Sequence, residues 1–162
     1  MKRPERAFAV THRLTTPHSP PPLLLEALAA VNWLAVVAAT VALYLFGGLW
    51  YSPLFFGSRW RAGVGFVPPH DWKPGALLYL APLAGCFVVT LATALLVTIA
   101  DAHSATDGVV LGLIVGLGYA AAVAGVDATA PSHPRPATLA LIVGAYWTIG
   151  LTMVAVILSV WR

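Results

Sequence analysis

The chain has 162 residues, 59% of them hydrophobic and 9% charged, where an average soluble domain has roughly 45–50% and 25%. No single core in a chain of this length buries that much apolar surface, so the composition excludes an ordinary water-soluble domain and calls for a bilayer around the helices. The formal net charge of +3 comes from scattered bases, without a basic stripe or an aromatic-lined groove, which excludes a nucleic-acid interface.

Residues 1–22 carry Lys2, Arg3, Glu5, Arg6 and Arg13, then Ser19-Pro20-Pro21-Pro22. Such a segment buries too little apolar surface to fold alone, and its proline run favours an extended polyproline conformation. It reads as a flexible polar tail ahead of a membrane domain over 23–162. The apolar run that follows is far longer than the roughly 7–15 residues of a secretory core and has no small-residue cleavage site close behind it, so a retained first helix is expected.

That first span is expected over about 27–50. Glu26 falls where a carboxylate favours the positive end of a helix dipole. Asn32 either caps the helix or bridges to a neighbour. The span stops at Trp50-Tyr51-Ser52-Pro53, with Phe55, Phe56 and Trp60 behind it, a cluster of rings suited to a membrane–water interface. Pro53 lacks an amide hydrogen and disfavours helical geometry at Ser52.

The second span is expected over 75–100, entered through Asp71, Trp72 and Lys73 and left at Asp101, with Pro82 tolerated inside it. Cys86, the only cysteine, lies in this run as a small buried hydrophobe; an intramolecular disulfide is impossible, and apolar surroundings disfavour the thiolate. The third span is expected over 108–128. There Gly108, Gly112, Gly116, Ala120 and Ala124 recur every four residues, a stripe of small side chains that lets backbones approach. It suits either a dimerisation face or a seam within the chain, and the need of every bundled helix for a neighbour favours the seam. The fourth span, 137–161, follows Pro134-Arg135-Pro136 and ends in a Trp161-Arg162 anchor. Short connections force antiparallel neighbours, so the expected fold is an all-α membrane protein, an up-down bundle of four transmembrane helices. No internal repeat points to an inverted-repeat transporter.

Chemistry is sparse. No Asp, Glu, Lys, Arg or His lies near the middle of a span, which argues against a proton-driven pump and leaves a passive pore or neutral-solute carrier open. Asp127 is placed as an interfacial cap or a partner for Arg135. Asp101, His103 and Asp107 have the donors for a divalent cation, but Asp107 stands where an acid caps a helix, and no metal or cofactor is expected. His12, His18, His70 and His133 have no ligand spacing. No G-x-S-x-G, phosphate loop or H-E-x-x-H is present. Thr40, Thr90, Thr93, Thr148 and Thr152 lie inside spans, where a hydroxyl can bond the preceding turn's carbonyl.

Asn32-Trp33-Leu34-Ala35-Val36, then Gly48, Leu49, Trp50, Tyr51, Ser52, Pro53, Leu54, Phe56 and Gly57, with Trp60 after them, resemble the bacterial domain-of-unknown-function family 1761. The resemblance implies a small protein of about four membrane helices, the first ending in W-Y-S-P. It also implies a Tyr-His pair in the last helix, where this chain has Tyr146-Trp147. It supplies no activity. Asn32, Trp33, Trp50, Tyr51, Ser52, Pro53, Gly57 and Trp60 are therefore the expected interfacial pocket. With no activated nucleophile or base, a non-enzymatic bundle (a structural or partner subunit, or a small channel- or carrier-like protein) is favoured over an interface enzyme acting on a lipid through Asn32, Tyr51, Ser52 or loop acids. The expected partners are the lipid bilayer and a homo-oligomer or membrane protein. Bases within about 15–20 residues of the spans favour the 51–74 loop inside, which puts both termini outside the cytoplasmic membrane.

Overall fold

The computed structural model describes residues 24–161; the expected tail over 1–22 and the Arg162 anchor lie outside them. The described chain is helical, in the order α1 (Leu24–Ala30), α2 (Trp33–Trp50), α3 (Gly57–Val64), α4 (Leu77–Ile99), α5 (Ala105–Leu113), a π-helical stretch (Ile114–Ala121), α6 (Ala122–Ala128) and α7 (Pro136–Val160). Four rods are long and apolar enough to cross a membrane: α2, α4, the continuous Ala105–Ala128 helix and α7.

The ends of these rods follow local chemistry. The apolar run does not form one helix from residue 27. It breaks before Asn32, whose backbone is extended and whose Oδ1 accepts from the Leu34 and Ala35 amides at 3.1 Å each. Two orphan donors of the first turn are thereby satisfied, so α2 starts at Trp33 and α1 is a separate short helix against α4. Ser104 and Asp107 form a capping box that starts α5, and Pro136 takes the first turn of α7, where its missing amide costs nothing. Pro82 is accommodated inside α4.

The bundle is organised around its last helix. α7 packs against α2, α3, α4 and the whole length of the 105–128 rod. Buried residues make up 44% of an 18-residue apolar window of α7 but only 11% of such a window of the rod, so α7 is the hub and the rod lies on its outside. Both partners run antiparallel to it. Along α2 the pairs are Asn32 with Trp161, Leu43 with Gly150, Gly47 with Tyr146 and Trp50 with Ile142. Along the rod they are Gly108 with Val156, Gly112 with Thr152, Gly116 with Thr148 and Ala121 with Gly144. Between α2, α4 and α7 lies the core of Ala35, Val36, Ala39, Leu43, Ala94, Val97, Val154 and Leu158.

This alternation separates the charges. Glu26, Asp101 and Asp107 belong to the end with the start of α2 and the finish of α7. Arg59, Arg61, Lys73 and Arg135, together with Asp71 and Asp127, belong to the other end, which also holds α3.

Candidate interfacial cleft

After Trp50 the chain reverses sharply, and the Trp-Tyr-Ser-Pro sequence is the reversal. The Phe56 amide donates back to the Trp50 carbonyl at 3.0 Å, and the Phe55 and Gly57 amides donate to the Ser52 carbonyl at 3.2 and 3.0 Å. With these bonds closed, a Cβ at position 57 would collide with the Tyr51 carbonyl oxygen, which explains glycine there. α3 then runs back over the bundle and ends at Gly65 in the left-handed conformation, φ 73°. Gly63 lets it approach Leu139 of α7 closely.

The turn is fastened to α7 by rings and one hydrogen bond. Trp50 Nε1 donates to the Ile142 carbonyl at 3.1 Å. Tyr51 packs between Trp60 and Tyr146, with centroids at 5.5 and 5.2 Å. Phe46 bridges Trp50 and Tyr146 at 5.3 and 5.7 Å, and Trp50 meets Phe56 at 4.6 Å. Most of these pairs are tilted or edge-on, the arrangements that ring quadrupoles prefer. Burial pushes the Tyr51 phenol well above its usual range, so the hydroxyl stays neutral and does not supply a base.

Outside this ring network lies a cleft of about 510 Å³, within the roughly 300–1,000 Å³ usual for small-ligand sites. The turn contributes Tyr51 and Pro53, α3 contributes Gly57, Trp60, Arg61 and Val64, the chain that follows contributes Phe66 and Trp72, and the first turn of α4 contributes Leu78. Phe66 and Trp72 meet edge-on at 5.3 Å. Arg61, half-buried, is the one charged residue of the lining among the described residues. The cleft sits between the finish of one candidate span and the first turn of the next.

The expected pocket residues therefore divide. Tyr51, Pro53, Gly57 and Trp60 line the cleft. Trp50 supports them from behind, and Ser52 Oγ is buried in the turn without a hydrogen-bond partner among the described residues. Asn32 and Trp33 are at the opposite end of α2. Asn32 both caps its helix and donates from Nδ2 to the Trp161 carbonyl at 3.4 Å, and the cavity beside it, about 20 Å³, has room for little more than one water. Trp33 is half-exposed on the outer surface. Gly108, Gly112 and Gly116 face α7: a Cβ at Gly108 would stand 2.7 Å from the Val156 Cα, and one at Gly116 2.9 Å from the Thr148 Cα. Ala120 and Ala124 are half-buried.

The loop acids are committed to structure. Asp107 Oδ2 accepts from the His103 and Ser104 amides and the Ser104 hydroxyl at 3.2, 3.0 and 2.7 Å, and Asp101 contacts His103 Nε2 at 2.7 Å. Among the described residues no three potential ligands gather as a metal would require; His12 and His18 lie outside them.

Sequence reasoning missed α3 and the residues that complete the site. Arg61, Trp72 and Leu78 stand in a stretch that reads as a loop and the entry to a span. Tyr146 is remote from Tyr51 along the chain, and only the antiparallel register of α2 and α7 unites them.

A family model described as a protein of unknown function (DUF1761) matches residues 34–159, most of the chain. No curated protein and no solved structure matches it.

Proposed function

The chain belongs to the DUF1761 family, and for it we propose a non-enzymatic bundle of the cytoplasmic membrane that holds an apolar ligand in the cleft between the Trp50–Gly57 turn, α3 and the start of α4. The observation that carries this reading is the cleft itself: concave, ring-lined, anchored to the hub helix, and lying where one candidate span ends and the next begins. The neutral Tyr51 phenol and the buried Ser52 hydroxyl, which has no hydrogen-bond partner among the described residues, favour holding over turnover. The base-bearing end faces the cytoplasm in this reading and both termini face outward, supported by the gathering of Arg59, Arg61, Lys73 and Arg135 near span ends.

Native mass spectrometry of the detergent-solubilised chain with added phospholipid tests the proposal. Wild type retains one lipid. Val64→Trp fills the cleft and loses it, while circular dichroism and the melting temperature show the bundle intact. Equal retention by both proteins refutes a ligand-holding cleft, and a bound lipid of altered mass refutes the non-enzymatic part.

A further inference from the structure

We propose that the occupant of the cleft is an anionic phospholipid whose phosphate is held by Arg61; the inference rests on the ligand-holding reading above and adds the headgroup to it. An acyl chain moving from bilayer to cleft gains little, because lipid tails are already as apolar as the leucine and aromatic side chains that would receive it. Any preference of the cleft for one lipid over another therefore comes from the polar end of the ligand.

At that end the structure offers one group. Arg61 is the charged residue of the lining, and among the described residues no carboxylate forms an ion pair with it. A guanidinium presents a planar fork of donors that matches two phosphate oxygens, and it is more weakly hydrated than an ammonium, so partial burial costs it less. Its neighbours set the depth. Trp60 precedes it and Trp72 stands across the cleft, both indoles of the kind that settle at headgroup level. Leu78, half-exposed on the first turn of α4, marks the way out for a chain into the bilayer.

The surrounding charge distinguishes headgroups. Arg59, Lys73 and Arg135 share this end with Asp71 and Asp127, leaving an excess of bases. A zwitterionic headgroup returns a positive charge to this field, whereas phosphatidylglycerol does not. A base close to a membrane surface favours an anionic lipid by about fivefold.

The test titrates the full chain in detergent, read by native mass spectrometry, with phosphatidylglycerol and phosphatidylcholine of identical chains. Phosphatidylglycerol binds one to one with about a fivefold preference. Arg61→Gln brings the two lipids to parity, Arg61→Lys retains part of the preference, and Arg59→Gln retains most of it. Equal binding of the two lipids by wild type, unchanged in Arg61→Gln, overturns the headgroup assignment and leaves the cleft reading standing. Failure of both lipids to bind stoichiometrically overturns both readings. Displacement of the lipid by free glycerol 3-phosphate moves the ligand from a lipid to a soluble anion and overturns the assignment. An Arg59→Gln loss as large as that of Arg61→Gln replaces direct contact with a diffuse field, and it overturns the assignment too.

Discussion

α7 meets its two antiparallel neighbours through seams of opposite construction. Against the 105–128 rod, Gly108, Gly112 and Gly116 bring backbone onto backbone, and no side chain stands between the helices at those points. Against α2, large groups enter small places: Tyr146 lies over Gly47, Leu43 reaches Gly150, and Trp50 hydrogen-bonds to the Ile142 carbonyl. Both seams lie in the same apolar solvent, where helices are not driven together by exclusion of water and must associate through dispersion, close approach and occasional polar contacts. At its three glycines this seam brings the two backbones into direct contact. The ring seam continues past the end of α2 into the Tyr51–Trp60 network, and the sizeable cleft lies on that side. A bound ligand is therefore expected where the helices are held by rings, and rigidity where they are held by glycines.

The sharpest way to break this comparison is Gly112→Ala. The added methyl would run into the Thr152 Cα, a backbone atom that cannot swing aside, so the rod has to separate from α7. Overpacking of this kind costs about 3 kcal/mol. Gly118→Ala in the same rod meets nothing within 4 Å and is neutral or slightly stabilising. Reversible unfolding in mixed micelles, followed by circular dichroism, compares the two variants. Tolerance of Gly112→Ala at the level of Gly118→Ala would mean that the backbone seam is not the contact that holds the rod.

Gly150→Ala probes the other seam and is expected to cost about 1 kcal/mol, the low end for overpacking. Its Cβ would approach Leu43 Cδ1 at 2.6 Å, the far end of a side chain that can change rotamer, with Phe46 the next atom out at 3.7 Å. The same micelle titration ranks Gly112→Ala above Gly150→Ala. The opposite order would assign the rigid contact to the ring seam.

How much of this was legible in the sequence depends on whether a feature is local. Four spans are legible because a run of about 20 uncharged apolar residues matches the thickness of a bilayer core and suits no polar solvent. Asn32 stands out as a cap or a bridge, yet the helix break at it is hidden, because α1 and α2 share one apolar composition and only the amide's geometry stops the helix. The glycine stripe announces close packing without naming the partner, which the register of α7 supplies. Pro53 reads as a stop. The need for Gly57 emerges only when the chain folds back onto the Trp50 and Ser52 carbonyls. The π-helical stretch at Ile114–Ala121 leaves no compositional trace, since widening a helix changes hydrogen-bond partners and not residue types. Nor does the cleft: its lining joins three chain segments, and Arg61 looks like any interfacial base until Trp72 and Leu78 are set opposite it.

The smallest expected effect decides whether the glycine seam carries any polar bond. Thr148 and Thr152 both stand on it, opposite Gly116 and Gly112. Each hydroxyl donates back along α7, Thr148 to the Gly144 carbonyl at 2.8 Å and Thr152 to the Thr148 carbonyl at 2.7 Å. Such bonds satisfy the hydroxyl inside its own helix and contribute little to holding a neighbour. Thr152→Val keeps the branched shape and deletes only the hydroxyl, so its effect on unfolding is expected to stay within about 0.5 kcal/mol. A loss above about 1 kcal/mol, the net worth of a typical hydrogen bond, would place that hydroxyl across the seam. The contrast between a backbone seam and a side-chain seam would not survive it.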